Sequence, residues 1–262
     1  MQVVVIGGTG LIGTKVVARL REHGHEARPA SPDTGVDTLT GEGVAEALAG
    51  ADVLVDVSNS PSFEESAVRH FFETGTGNLL AAAKRAGIKH YVILSVVGTR
   101  RLQEAGYFRG KLRQEQLLQE SGMPYTIVHS TQFFEFIKSI VDMATAGGVV
   151  RLAPVLFQPI ASDDVARAVA RAAVAEPVNG FIEIAGPDQF RLDHLVSETL
   201  AARHDPRQVI SDPNARYSGA ILEEHTLVPG PDAQLGATHL REWQAQMAAR
   251  AASPQPVAAA AR

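Results

Sequence analysis

A β-branched run, Val3 to Ile6, passes without a break into glycines at positions 7, 10 and 13. Such a run reads as a strand buried on both faces of a parallel sheet. Within GGTGLIG, Gly8-x-Gly10-x-x-Gly13 also matches the dinucleotide fingerprint. Each glycine of that fingerprint has a physical task. One permits the tight turn, one lets a pyrophosphate approach the backbone, and one lets the helix pack close to the strand. The phosphates then rest on free N–H groups at a helix N-terminus. Glycine spacing alone also suits an ordinary strand–helix turn. Here apolar residues at helical spacing follow it (Leu11, Ile12, Val16, Val17, Leu20), so the turn reads as a dinucleotide cradle.

The pattern then repeats. Strands are expected at 25–31, 52–57, 90–97 and 125–129, with helices at 63–87 and 107–121. Pro29 is awkward for a central strand, and Thr74–Gly77 (TGTG) weakens the first of those helices. Such alternation implies an α/β fold, a doubly wound parallel sheet (Rossmann fold). Past the midpoint, short apolar runs at 149–152, 155–160 and 181–185 mix with helices at 162–174, 192–202 and 239–249. Ser162 is the N-cap candidate of the first, and Asp163 and Asp164 suit its positive end. This half predicts a small α+β C-terminal cap. The expected division is an NAD(P)-binding core at 1–160, a cap portion interleaved with it at 161–250, and a low-complexity, disordered tail at 251–262.

Several function classes drop out. The chain has no cysteine, which excludes disulfides, thiolate catalysis and Cys-based zinc sites. Its 9 histidines show no ligand spacing, so no metal is expected. A formal net charge of −5 lacks the basic footprint of a nucleic-acid binder. No apolar stretch reaches the ~18 residues of a membrane helix. The start MQVVVIGGTG reads as a buried strand, not a secretory leader, so a cytoplasmic protein is expected. Monomer and homodimer remain equally open.

Tyr107-Phe-Arg-Gly-Lys111 sets a phenol and an ammonium on one helical face. With 4 Tyr and 5 Lys in 262 residues, such a pair arises by chance about 0.08 times. Ser95 stands near the end of the preceding strand, where open α/β sheets hold ligands. A phenol of pKa ~10 is a poor acid–base at neutral pH, and a nearby Lys⁺ lowers that value. Tyr107 would protonate an alkoxide forming on a reduced carbonyl, and Ser95 would polarise the same oxygen. The plainer alternative is a surface Tyr lying along a Lys stem. Phe63, Phe108 and Phe133 are candidates for an apolar substrate pocket with Gln132; core packing explains each phenylalanine equally well. For His129 a satisfied structural role is expected.

Ser31, at the end of the second strand, is neutral and would not repel a 2′-phosphate. Asp33 lies at the offset where NAD readers place an acid, and Arg28 points in an undetermined direction. The reading favours NADP and leaves NAD open.

Taken together, VVVIGGTGLIG, ALAGADVLVDVSNSP, VILSVVG, YFRGK, QPIASDDVARAVA and FIEIAGPDQF resemble the short-chain dehydrogenase/reductase superfamily, in its atypical NmrA-like branch. The resemblance extends to about residue 250. It implies that Gly7, Thr9, Gly10, Leu11, Ile12 and Gly13 hold the pyrophosphate and that Ser31 lies at the adenosine ribose. Val57 and Ser58 would pass under the adenine side, with Asn59 near the active site. Ser95, Tyr107 and Lys111 would be catalytic, with Lys111 also on the nicotinamide ribose and Thr131 near the nicotinamide. Departures are Pro29, Pro32 in place of an arginine, HSTQFF in place of a Pro-Gly-like turn, and a third strand reduced to VDTLTGEG. The implied activity is reduction of a carbonyl, quinone or enone of a small apolar molecule. The alternatives are a redox sensor that binds NAD(P) without turnover and, third, an NAD-dependent epimerase or isomerase.

Overall fold

The structure, a computed structural model, describes residues 1–252. The first half runs β1 (Gln2–Ile6), α1 (Leu11–Glu22), β2 (Glu26–Ala30), α2 (Val44–Leu48), β3 (Val53–Asp56), α3 (Glu65–Ala86), β4 (His90–Val96), α4 (Gly106–Glu120) and β5 (Tyr125–Ser130). There follow α5 (Ile137–Met143), β6 (Thr145–Ala146), β7 (Val149–Leu152), β8 (Leu156–Phe157), α6 (Ser162–Val174) and β9 (Gly180–Ala185). The last stretch holds β10 (Phe190–Arg191), α7 (Leu192–Ala202), β11 (Gln208–Ser211), β12 (Arg216–Tyr217), β13 (Ala220–Ile221), β14 (Gln234–Leu235) and α8 (Leu240–Ala252).

Seven strands form one sheet in the order β14-β9-β5-β4-β3-β1-β2, and every neighbouring pair is parallel. Alternate residues feed two cores. Val3 and Val5 of β1, Val53 and Val55 of β3, and Val92 of β4 pack under α1 and α6. Val4 and Ile6, Leu54, Tyr91 and Ile93 pack on the other face, under α2, α3 and α4. This two-sided burial is why the strands read as continuous apolar runs. No strand lies between β2 and α2. Residues 36–43 turn instead, held by Asp37 accepting from Leu39 N at 2.7 Å and by Asn78 donating to Thr38 O at 2.8 Å. The direction of strand order therefore reverses between β1 and β3, the position at which open α/β sheets bind ligands.

Pro29 is accommodated because β2 is an edge strand, paired only with β1. The Thr74–Gly77 stretch does not interrupt α3, and within it Gly75 sits against Thr38, where a Cβ would meet Oγ1 at 3.1 Å.

Three expectations need correction. The N-cap of α6 is Ala161, not Ser162, whose hydroxyl instead donates to Glu135. The run 155–160 forms only the short β8, because Pro159 and the Gln158 contact to Gly186 O take up the rest. The division at residue 160 is not a clean cut: α6, β9 and β14 complete the core layers. The cap is built from α5, β6–β8, β10–β13 and α7 around its own apolar cluster (Phe134, Leu152, Phe157, Leu192, Leu222, Leu240). Its parts lie on both sides of residue 160, so the chain crosses between core and cap more than once. Of the expected tail, Ala251 and Ala252 end α8 and residues 253–262 lie outside the described residues. Among the described residues, no helix is long and apolar enough to cross a membrane.

Candidate active site

The carboxyl end of β1 opens directly into the glycine turn. Gly7 has φ +73° and donates its N–H to Ala30 O at 2.9 Å. A Cβ there would lie 2.9 Å from Ser58 Cα, so the turn presses against the loop that follows β3. At Gly8 a Cβ would meet Pro29 Cα at 2.5 Å, and at Gly13 it would meet Gly7 O at 2.1 Å. Those two glycines hold helix and strands together. Gly10 differs: its only neighbour is Gly7 O at 3.3 Å. It is the N-cap of α1, and the amides of Leu11, Ile12 and Gly13 behind it have no intramolecular acceptor. An open glycine at the head of three free amides fits a pyrophosphate.

Around this cradle, Thr9 Oγ1 donates to Ser31 Oγ at 3.1 Å, which joins the turn to the end of β2. Ser31 caps the short 3-10 turn Pro32–Thr34. Asp33 is exposed on that turn, and the Arg28 guanidinium is taken by Ala49 O at 3.1 Å. Val57 and Ser58 are half-buried at the end of β3, with Ser58 N and Oγ both donating to Asp56. Across the cleft, Thr131 Oγ1 and both amide atoms of Gln132 are buried without a hydrogen-bond partner. Buried polar groups are normally paired, and these atoms lie directly after β5, at the carboxyl end of the parallel sheet.

α4 brings Tyr107 and Lys111 to the same region. Gly110 lets it pack closely on α3, since a Cβ there would lie 2.7 Å from Val68 Cγ1. That approach places the Phe72 ring 4.5 Å from Lys111 Nζ. The Lys111 ammonium donates to Leu94 O and Gln114 Oε1, both at 2.7 Å, and Gln114 passes the chain on to Asp56 at 2.9 Å. Burial pulls Lys111 down to about 8, against the opposing charges of Asp56 and Glu115. The Tyr107 hydroxyl donates to Asn59 Oδ1 at 3.1 Å. Its ring lies 5.8 Å from Phe63, 6.2 Å from Phe72 and 5.3 Å from Phe108, and burial pushes the phenol above its ordinary value. The expected lowering by Lys111 is not seen: its ammonium is engaged by Leu94 O and Gln114 Oε1, and desolvation alone sets the direction at Tyr107.

Ser95 is not brought to Tyr107. It is buried in β4, and its hydroxyl donates to Glu115 Oε1 at 2.5 Å. His129, in register beside it on β5, approaches the same oxygen through Nε2 at 2.9 Å. Burial alone would raise Glu115. The His129 and Ser95 hydrogen bonds and the Lys111 charge outweigh it and hold the carboxyl below its usual range. The sequence reading missed Asp56, Gln114, Glu115 and Tyr217. For two of them a signal existed: Tyr107, Lys111, Gln114 and Glu115 share a helical face with the fully buried Leu118. Polar groups on the face that must turn inward mark a buried network.

Of the pocket candidates, Phe63 is 68% exposed at the cleft mouth beside Tyr107. Phe108 belongs to the cap core and sits 6.4 Å from Tyr217. Tyr217 lies beside both Gln132 and Tyr107. Phe133 stacks on Phe136 at 5.2 Å, packed against the core under α6.

A parallel sheet that opens at its switch point onto a glycine turn defines a dinucleotide-binding protein. The chain belongs to the NAD(P)H-binding family, whose pattern matches residues 7–177, in keeping with the short-chain dehydrogenase/reductase resemblance of its motifs. It is similar to photosystem II assembly factor Ycf39 of Cyanophora paradoxa, 25% identical over 198 residues covering 68% of this chain and 61% of that protein. It is also similar to the (4-alkanoyl-5-oxo-2,5-dihydrofuran-3-yl)methyl phosphate reductase of Streptomyces griseus subsp. griseus, 30% identical over 162 residues, 57% of this chain and 54% of that one. The chain therefore spans between half and two thirds of these relatives' lengths. Its fold is like that of the NADPH-dependent quinone oxidoreductase QOR2 of Escherichia coli, solved with NADPH: TM-score 0.64, 21% identity, covering 80% and 78% of the two chains.

Proposed function

We propose that this protein is an NADPH-dependent reductase acting on a carbonyl, quinone or enone of a small apolar substrate, with Tyr107 as proton donor. One observation carries the reading: the Tyr107 phenol stands at the cleft, bonded to Asn59, one helical turn before the buried Lys111. The bound dinucleotide would supply the hydride. The protein's own groups do the rest. Gly10 and the amides of Leu11, Ile12 and Gly13 hold the pyrophosphate. Burial keeps the proton on Tyr107 until an alkoxide develops beside it, which suits donation in the reductive direction. The substrate oxygen also needs a polarising donor. Ser95 was expected to be that donor, but its proton is committed to Glu115. The unpaired amide of Gln132 takes the role. NADPH is favoured over NADH because Ser31, the first residue after β2, is neutral and offers a hydroxyl together with Thr9, while Asp33 lies two residues further on, on the exposed 3-10 turn.

The test is oxidation of NADPH over a panel of carbonyls and quinones, repeated with Tyr107→Phe. A loss of about 10²–10⁴ in kcat with unchanged NADPH affinity supports the reading. Unchanged turnover removes Tyr107 from the mechanism. A second reading is a regulatory or assembly protein that binds NAD(P) without turnover. It is favoured by the engagement of Ser95 with Glu115 and by the likeness to Ycf39. It requires cofactor binding without turnover on any member of the panel, and a partner whose affinity differs between NADP⁺ and NADPH.

A further inference from the structure

A second cavity, of about 170 Å³, lies in the cap between α5, β7, the start of α7 and the β12–β13 hairpin. Its volume is close to the roughly 150 Å³ cavity that accommodates one benzene ring. Ile140, Leu152, Leu192 and Leu222 form its apolar floor. Tyr217 is a wall shared with the cleft, since the same side chain lies beside Tyr107 and Gln132.

Its lining carries two cations, each with a carboxylate partner outside the lining: Asp212 for Arg151 and Glu104 for Arg216. Among the described residues, Arg151 and Arg216 are the only charged side chains lining the cavity, in a chain whose net charge is −5. Arg216 is committed, donating to Gly219 O at 2.6 Å and to Glu104 at 2.9 Å. Arg151 is not. Its one ion pair, to Asp212, is 4.0 Å long, and no hydrogen bond is made by its guanidinium. A guanidinium with spare donors beside an apolar hollow is suited to a carboxylate or a phosphate, which it meets in a two-point contact.

We infer that this cavity is the substrate's specificity subsite. It would take an apolar ring or short acyl segment carrying one anionic group, with the anion on Arg151 and the apolar part against Leu152, Leu192 and Leu222. The link from this subsite to chemistry at Tyr107 rests on the reductase reading. The subsite itself is a matter of binding alone.

Equilibrium binding tests it without turnover. The probes are phenylacetate, phenyl phosphate and the neutral 2-phenylethanol, titrated calorimetrically into protein saturated with NADP⁺. At least one anionic probe is expected to bind about tenfold more tightly than the alcohol. Arg151→Gln should remove that advantage, Arg151→Lys should restore part of it, and added salt should weaken only the anionic probes. Comparing the two anions tells carboxylate from phosphate. Ala215→Trp fills the cavity from its half-buried rim and should abolish binding of all three. Equal affinity for neutral and anionic probes overturns the assignment. So does anion binding that survives Arg151→Gln or Ala215→Trp. Turnover through Tyr107 with indifferent probe binding would keep the reductase and lose the subsite; selective binding with no turnover on any substrate would do the reverse.

Discussion

Ser95 and Glu115 face each other inside the protein, hydroxyl to carboxylate at 2.5 Å, on a strand and a helix twenty residues apart in sequence. His129 completes the cluster on the same carboxylate oxygen. Removing Glu115 therefore strands two donors in a buried site. Glu115→Leu should lower stability by about 2–4 kcal/mol and Ser95→Ala by about 1–2 kcal/mol. In a double-mutant cycle followed by urea unfolding, the two losses should be less than additive, because they remove one shared interaction. Full additivity would show that the pair is not coupled.

The glycine turn separates two kinds of glycine. Gly13→Ala drives a methyl group into Gly7 O and should destabilise the free protein by about 1–3 kcal/mol. Gly10→Ala meets only Gly7 O at 3.3 Å and should leave the free protein's melting temperature nearly unchanged. It blocks the approach to the amides of α1, so the rise in Tm on adding NADPH should vanish. Thermal melts with and without cofactor check both variants.

On the proposed reading, cofactor choice turns on the end of β2. Ser31→Asp puts a carboxylate beside Thr9, where it would accept from a ribose hydroxyl and repel a 2′-phosphate. NADPH affinity should fall about tenfold or more, while NADH affinity holds or improves. Fluorescence titration of the two reduced dinucleotides measures the ratio.

His90 gives the fold a pH dependence. It is buried in β4, with Nε2 against Thr126 Oγ1 at 2.9 Å, and burial holds it down to about 4 from an ordinary 6.5. The unfolded chain takes up this proton first. Stability due to the neutral imidazole is therefore complete above about pH 6.5 and is lost as pH falls towards 4, by on the order of 2–3 kcal/mol. His90→Leu should flatten that part of the Tm-against-pH curve. An unchanged slope would remove His90 as its source.

Much of this architecture was legible from local pattern. The run Val3–Ile6 is apolar at every position because both sheet faces are covered, and that signal needs no knowledge of the partner helices. Gly87 and Gly122 end their helices with positive φ, as expected of glycines just past a C-terminus. The harder cases were non-local. Pro29 looked unsuited to a strand only because the sequence does not say which strand is at an edge. The cap escaped a single boundary because its pieces are joined by packing, not by adjacency in the chain.

The sequence by itself determined the parallel sheet, the glycine turn and the placing of Tyr107 and Lys111 on one face of a helix. These follow from periodicities of two to four residues, which the local backbone imposes. Only the tertiary structure decided what each polar side chain faces. It turned Ser95 towards Glu115, drew Tyr107 to Asn59, buried Lys111 over Phe72 and left Gln132 unpaired. Partners of that kind are separated by many residues, and burial sets both their contacts and their proton affinities. The same glycine turn that announced a dinucleotide thus left the neighbours of Tyr107 to the packing of α4 against the sheet.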